Sequence, residues 1–264
     1  MDKGFVILAE NTKTVDYVSC AETLAHSIKK IMPDEKITLI STSLSNSPYF
    51  DSIVTLPHGD LSPDSEWKLI NDWQVYDASP YEYTIKLEAD MYIPIDISYW
   101  WDVLVERELV ISTHIRDFRN QLSTVKTYRR FITDNKLPDT YNAITYFKKS
   151  ELAKRFFMIV RDVFEHWEEY KALMKSDPKE IATTDWVYAI AAHIVGTENC
   201  TLPDFKQMSM IHMKRFVNSL VTEDWTKELV IETHDVLKIN TIPQRYPFHY
   251  HVKSFHENLR IGHD

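Results

Sequence analysis

The chain has 264 residues, 44% of them hydrophobic, and a formal net charge of −9. That length supports one large domain, or one domain with an appendage, around a sizeable core, and the acidic balance argues against a protein coated in positive charge. With four Gly and no G-x-G-x-x-G or G-x-x-x-x-G-K-[ST] pattern, a glycine-rich phosphate loop is excluded as the main binding device, and Cys20 and Cys200 form no C-x-x-C and imply no disulfide framework.

Gly4 to Ala9 is a continuous apolar run of the kind that forms a buried parallel strand. It is far too short for a signal peptide or a membrane span, so a soluble, cytoplasmic protein is expected. Glu10 to Lys13 is the following turn. Apolar residues then recur at Tyr17, Ala21, Leu24, Ile28 and Ile31, the spacing of a helix, which Pro33 stops. Lys36 to Ser41 is a second strand, giving a βαβ unit with parallel strands and a right-handed crossover. Residues 43–64 contain Pro48, Pro57 and Pro63 and predict a loop with a short strand at Ile53–Leu56. Ser65 to Asp77 predicts a helix, with Trp67, Ile70 and Trp73 or Gln74 on one face, ended by Ser79-Pro80.

The central stretch is Tyr83 to Met91. Tyr83, Ile85 and Leu87 alternate with Thr84, Lys86 and Glu88, the period of a half-buried strand. Glu88 and Asp90 follow two residues apart at the strand's carboxyl end, on one side if strand geometry continues. Two hard oxygen donors there suit Mn²⁺ or Mg²⁺, above all with phosphate oxygens completing the shell. In open α/β sheets such strand ends face ligands.

Further on, Leu109–Ser112 predicts a strand, Pro138–Phe147 a loop and short strand, and Glu151–Lys175 one long helix. Thr183 or Thr184 caps a helix over Asp185–Val195. Met208–Met213 predicts a strand. The tail predicts a helix at about 223–231, a strand around Val236–Ile239 and a His-rich end. From Arg116 to Arg161 there are 11 Lys and Arg against four Asp and Glu, in an otherwise acidic chain. Such asymmetry marks either a surface for an anionic partner or a solvated helical face.

Five stretches, spanning about residues 4–214, carry a resemblance to GT-A-fold nucleotide-sugar glycosyltransferases, most of all the glycogenin-like type. They are the first strand with Glu10-Asn11 and Tyr17; Trp67 to Tyr76; Ile85 to Met91, similar to the family's D-x-D strand end; Ala182 to Trp186; and Leu202-Pro203-Asp204-Phe205 with Ile211-His212-Met213-Lys214. The sequence departs from the pattern at Glu88, where the family has Asp, and lacks the family's glycine-and-tryptophan tail after the His.

The resemblance implies an α/β fold with a mixed, mostly parallel central sheet flanked by helices. Residues 1–214 would form the catalytic domain and 215–264 a small C-terminal extension packed on it. It implies a metal held by Glu88, Asp90 and His212, favoured over His249 and His251 because His212 follows the Leu-Pro turn. It implies Lys214, and Lys68 as a second cation, on the donor phosphates, with Ala9, Glu10, Asn11 and Tyr17 lining the base and ribose pocket. Asp185 would orient the acceptor hydroxyl or the donor sugar, although an acidic residue in a first helical turn also serves the helix dipole. The activity implied is metal-dependent transfer, with retention of configuration, from a nucleoside diphosphate sugar, UDP-sugars first. The chain is also similar to glycosyltransferases encoded by large tailed phages, which implies a host-cytoplasm location and a hydroxymethylated pyrimidine in DNA as acceptor. The basic segment 116–161 would then track phosphates and the target base would be flipped out. A small sugar or surface glycan is the alternative acceptor, and a non-catalytic nucleotide-sugar-binding protein the alternative class.

Overall fold

The computed structural model describes residues 2–175, 181–202 and 208–261. The chain begins with β1 (Lys3–Leu8), α1 (Tyr17–Ile31), β2 (Ile37–Ile40) and β3 (Ser52–Val54). It continues through β4 (Tyr83–Glu88), β5 (Met91–Tyr92), β6 (Leu109–Ser112), β7 (Ile115–Arg116) and β8 (Tyr141–Lys148). Helices α2 (Glu151–Glu165) and α3 (Thr184–Val195) follow, then β9 (Met210–His212). Short strands β10 (Ile231–Glu232), β11 (Lys238–Ile239), β12 (Ile242–Pro243) and β13 (Phe248–His249) and helix α4 (Phe255–Ile261) close the described chain.

Six strands form the main sheet, in the order β3-β2-β1-β4-β8-β6. β3, β2, β1 and β4 are mutually parallel, and β8 runs antiparallel between β4 and β6. Alternation along β1 sends Phe5 and Ile7 to one face and Val6 to the other. The first face is covered by α1 through Ala21, Leu24, Ala25 and Ile28; the second meets Phe156, Val160 and Val163 of α2 and Val187 and Ile190 of α3. Asp16 caps α1 by accepting the Ser19 N–H at 3.0 Å, and Lys29 and Lys30 in the last turn suit the dipole.

A second sheet has the order β5-β13-β9-β7. β13 runs antiparallel to β5 and parallel to β9, with His249 opposite both Met91 and His212. The three strands β10-β11-β12 form a small antiparallel sheet. β4 belongs to the large sheet and β5 to the second, so Ala89-Asp90 is the seam between them.

Several elements differ from the sequence expectation. The stretch 65–77 forms a 3₁₀ segment, Leu69–Gln74, followed by one short α-helical piece, Val75–Ala78. Lys68, Asn71 and Gln74, three apart, all face the 58–63 loop: Asn71 Nδ2 donates to Asp60 at 2.7 Å and Gln74 Oε1 accepts the His58 N–H at 2.9 Å. Eclipsed i, i+3 side chains are what a 3₁₀ turn provides. The long helix breaks at His166, where Trp167 turns inward against Phe131 and Trp186. The tail helix is a single 3₁₀ turn, Trp225–Lys227, because Trp225 is buried and donates to the Tyr250 carbonyl at 2.8 Å. Among the described residues no helix is long and apolar enough to cross a membrane.

Candidate active site at the seam of the two sheets

A cavity of about 410 Å³ opens beyond the carboxyl ends of β1 and β4, the side of an open sheet where ligands bind. Its wall takes Leu8 and Glu10 after β1, Glu88 to Asp90 after β4, and Tyr141 to Ala143 at the start of β8. Thr183 to Asp185 at the start of α3, with His212, Lys214, His249, His251 and Lys253, complete it.

Glu88, Asp90 and His249 bring three potential ligand atoms within 4.8 Å of one another. His249 Nε2 lies 3.1 Å from Glu88 Oε2 and 3.2 Å from Asp90 Oδ2. Asn142 Nδ2 donates to Glu88 Oε1 at 2.8 Å and fixes that carboxylate. Lys253 donates to Asp90 Oδ2. Burial alone would raise the Asp90 pKa, but the Lys253 ammonium and His249 beside it hold the carboxyl well below the usual range. The same proximity raises the Lys253 pKa, against the burial that would lower it. The His249 Nδ1 atom is buried and has no hydrogen-bond partner among the described residues. Two carboxylate oxygens and one imidazole nitrogen suit Mn²⁺, and Mg²⁺ less because of the nitrogen.

The sequence reading favoured His212 for this set; the structure places His249 beside the carboxylates. β13 lies between β5 and β9, so its His249 is one strand nearer Asp90 than is His212. His212 stands behind it, with Nδ1 3.3 Å from His251 Nε2. Burial first, then the Lys214 charge on His212 and the neighbouring imidazoles on His251, push both pKa values well down.

Asp185 lines the cavity and accepts from Arg129 Nη1 at 2.9 Å and from the Asn142 N–H at 3.2 Å. Burial would raise its pKa, but the Arg129 and Lys214 charges bring it below the usual range. Arg129 is buried, donates also to Asp139 and to the Thr140 carbonyl, and packs 4.0 Å from the Tyr141 ring centre. Lys214 lines the cavity with its ammonium 5.9 Å from the Tyr128 ring.

The remaining expected residues divide. Glu10 is on the wall, accepting from the Thr42 N–H at 2.6 Å, and burial raises its pKa. Tyr17 is on the wall, 5.1 Å beneath the Lys253 ammonium. Ala9 and Asn11 do not line the cavity: the Ala9 carbonyl accepts from Ser41 Oγ, and Asn11 Oδ1 accepts the Val18 N–H at 2.9 Å. Lys68 reaches the cavity, but its ammonium is held by Asp60 at 2.6 Å and by the Ser62 and Pro63 carbonyls. Leu202 is described, whereas Pro203, Asp204 and Phe205 of the expected Leu-Pro turn lie outside the described residues.

Several basic residues of 116–161 are engaged within the fold. Arg116 packs on Tyr246, Lys126 and Arg129 pair with Asp139, Lys149 donates to the Tyr76 carbonyl, and Arg161 pairs with Glu165.

Sequence reasoning gave Lys253 no role, placed Arg129 only in the basic segment, and set His249 aside. It also missed a pair beneath the cavity: Lys86 Nζ, fully buried in β4, lies 2.6 Å from Asp72 Oδ1, and Tyr188 donates to the same carboxylate. The His-x-His-x-Lys run at 249–253 was the available signal for His249 and Lys253, echoing the two-residue spacing of Glu88 and Asp90.

No protein-family model and no curated protein matches the sequence. Solved structures match the fold. The galactosyltransferase LgtC, in complex with donor and acceptor sugar analogues, is 13% identical, with a TM-score of 0.56 over 98% of this chain and 94% of that one. An active-site mutant of LgtC is 11% identical, with a TM-score of 0.52 over 94% of this chain and 87% of that one. The mixed α/β arrangement, with its mostly parallel sheet between helices, is thus the GT-A-like fold of those glycosyltransferases.

Proposed function

We propose that this chain transfers a sugar from a nucleoside diphosphate sugar, UDP-sugars first, to a hydroxyl acceptor with the help of a divalent metal. One observation carries the reading: Glu88, Asp90 and His249 converge in a cavity that also presents Lys253 and Lys214. Two carboxylates and an imidazole suit a cation, and the two lysines suit the diphosphate that such a cation binds. The likeness to a galactosyltransferase fold supports the reading.

Glu88, Asp90 and His249 would hold Mn²⁺ or Mg²⁺, which when bound offsets negative charge on the leaving diphosphate. Lys253 hands its charge from Asp90 to a phosphate oxygen when the donor enters. Lys214 faces the same space and supplies a second cation. Glu10 offers a carboxylate to the nucleoside, and Tyr17 closes the pocket beside Lys253. Arg129 and the Asn142 N–H fix the Asp185 carboxylate, which orients a sugar hydroxyl. No second carboxylate is assigned to deprotonate the acceptor, consistent with retention by attack from the leaving-group face. Residues 1–214 would then carry the donor half, and 215–264 lend it His249, His251 and Lys253. The internal engagement of Arg116, Lys126, Arg129, Lys149 and Arg161 favours a small sugar or glycan hydroxyl over hydroxymethylated DNA as acceptor.

The test is calorimetric titration of UDP with and without Mn²⁺, on the natural chain and on Asp90→Ala, followed by UDP release from a panel of UDP-sugars. Mn²⁺-dependent binding that Asp90→Ala abolishes, with release from one donor, supports the transferase. Tight binding with no release from any donor supports a donor-binding protein instead. Binding indifferent to Mn²⁺ and to Asp90→Ala refutes the metal assignment.

A further inference from the structure

Beside the carboxylate site stands a cluster of which the proposed reaction uses only His249. His212, His249 and His251 bring three imidazole nitrogens within 4.8 Å of one another. β9 and β13 put His212 and His249 side by side in register. His251 then takes a left-handed backbone, φ +57°, two residues after β13. A non-glycine residue adopts that conformation only when its surroundings hold it there. The His251 ring lies 3.9 Å from His249 and 4.5 Å from His212, centre to centre, perpendicular to the latter.

We infer that His212, His249 and His251 form a second cation seat, selective for Zn²⁺ and neighbouring late transition metals, which shares His249 with Glu88 and Asp90 and so excludes an ion from that first seat.

The spacing fits. Two nitrogens on a tetrahedral zinc with bonds of about 2.0–2.1 Å lie about 3.3–3.4 Å apart. His212 Nδ1 and His251 Nε2 are 3.3 Å apart. The chemistry fits as well. A set of imidazoles without a carboxylate follows the order in which zinc outcompetes manganese, whereas the Glu88-Asp90-His249 set suits a harder ion. His212 and His249 are each at least 96% buried, and His249 Nδ1 has no partner among the described residues, although interiors normally satisfy such atoms. His249 has its Nε2 on the carboxylates. A neutral imidazole has one lone-pair nitrogen, so His249 can ligate one ion at a time, which makes the two seats alternatives.

The seat does not depend on the transferase reading; only its consequence does, namely that zinc suppresses Mn²⁺-dependent UDP binding. The test therefore reads metal alone. Metal-free protein is titrated with Co²⁺, and the visible absorption of tetrahedral cobalt is followed and then displaced by Zn²⁺. The titration is repeated on His251→Gly, His212→Gln and Asp90→Asn, each checked for an unchanged melting profile. Glycine is chosen at 251 because it tolerates the left-handed backbone. The expected result is one band, weakened about tenfold or more in His251→Gly and His212→Gln and kept in Asp90→Asn. A band lost in Asp90→Asn and kept in both histidine variants overturns the proposal, as does simultaneous binding of two ions per chain or the absence of any tetrahedral band. If UDP binding proves metal-independent while the cobalt band behaves as expected, the assignment of a donor-site metal to Glu88, Asp90 and His249 falls and the second seat stands.

Discussion

Replacing Arg129 with methionine tests how Asp185 is held. The guanidinium is 3% exposed and serves Asp139, Asp185 and the Thr140 carbonyl while lying on the Tyr141 ring. Removing one partner of a fully buried pair typically costs about 3–5 kcal/mol. Here the Asp185 and Asp139 side chains keep 21% and 23% exposure, and Asp139 retains Lys126. Water and Lys126 therefore offset part of the loss, and methionine preserves the packing of the stem, so the expected cost is about 2–4 kcal/mol. In a domain of this size that is a fall in Tm of roughly 5–12 °C. The loss should depend on pH with a definite sign. Arg129 holds the Asp185 pKa below the unfolded value of about 3.9. Its stabilisation is thus complete above about pH 4 and fades as pH falls through the folded value. Denaturant melts of the natural chain and Arg129→Met at pH 7 and below pH 4 measure both. If Asp185 orients a hydroxyl, turnover of the donor should also fall about tenfold, equivalent to about 1.4 kcal/mol, with UDP affinity nearly unchanged. A stability loss below about 1 kcal/mol, unchanged with pH, together with full turnover, would refute the view that Arg129 positions Asp185.

Lys253→Met should weaken UDP binding by about ten- to a hundredfold, the worth of one hydrogen bond to a charged group, while binding of Mn²⁺ alone is kept or strengthened as Asp90 is freed; equal loss of both would show a structural role instead. Lys86→Met leaves Asp72 buried with only Tyr188 as partner, and should cost about 3–5 kcal/mol in a urea melt. A double change of Lys86→Met with Asp72→Leu should recover much of that, and failure to recover would show that the pair specifies local structure. Burial pushes the Cys20 thiol up to about 11 and Cys200 up to about 12. At pH 8 neither should react with an alkylating reagent until the chain is unfolded, so fast labelling of the native protein would contradict the packing around them.

The first βαβ unit was legible because its signals are local. The apolar run ending at Ala9 and the spacing Tyr17, Ala21, Leu24, Ile28 and Ile31 need no distant partner, and α1 occupies Tyr17–Ile31. β4 was legible as a strand, yet its period of two suggested a half-solvated face. Thr84 and Lys86 are instead buried, because α2 and α3 cover that face and Asp72 neutralises Lys86. β8 gave no sign of its direction, since side-chain alternation is the same in parallel and antiparallel strands. Glu88 and Asp90 were visible as letters two apart. His249 was in view but passed over for His212, because β13 is only two residues long and its place between β5 and β9 is set by contacts across the chain. Lys68 looked free for phosphate because nothing local announces its bond to Asp60.

The placing of His249 also sets a clock. It follows Asp90 by 159 positions. At a ribosome adding about 5–20 residues each second, roughly 8–30 seconds separate the synthesis of the two. Throughout that interval the early half of the protein already carries its paired acids, with neither the imidazole nor the Lys253 ammonium to meet them. A nascent chain therefore displays a bare acidic lip. It acquires the His249 imidazole and the Lys253 ammonium within a few residues of each other, when β13 takes its place between β5 and β9. A metal held by Glu88, Asp90 and His249 would accordingly load late in biosynthesis, with closure of the second sheet.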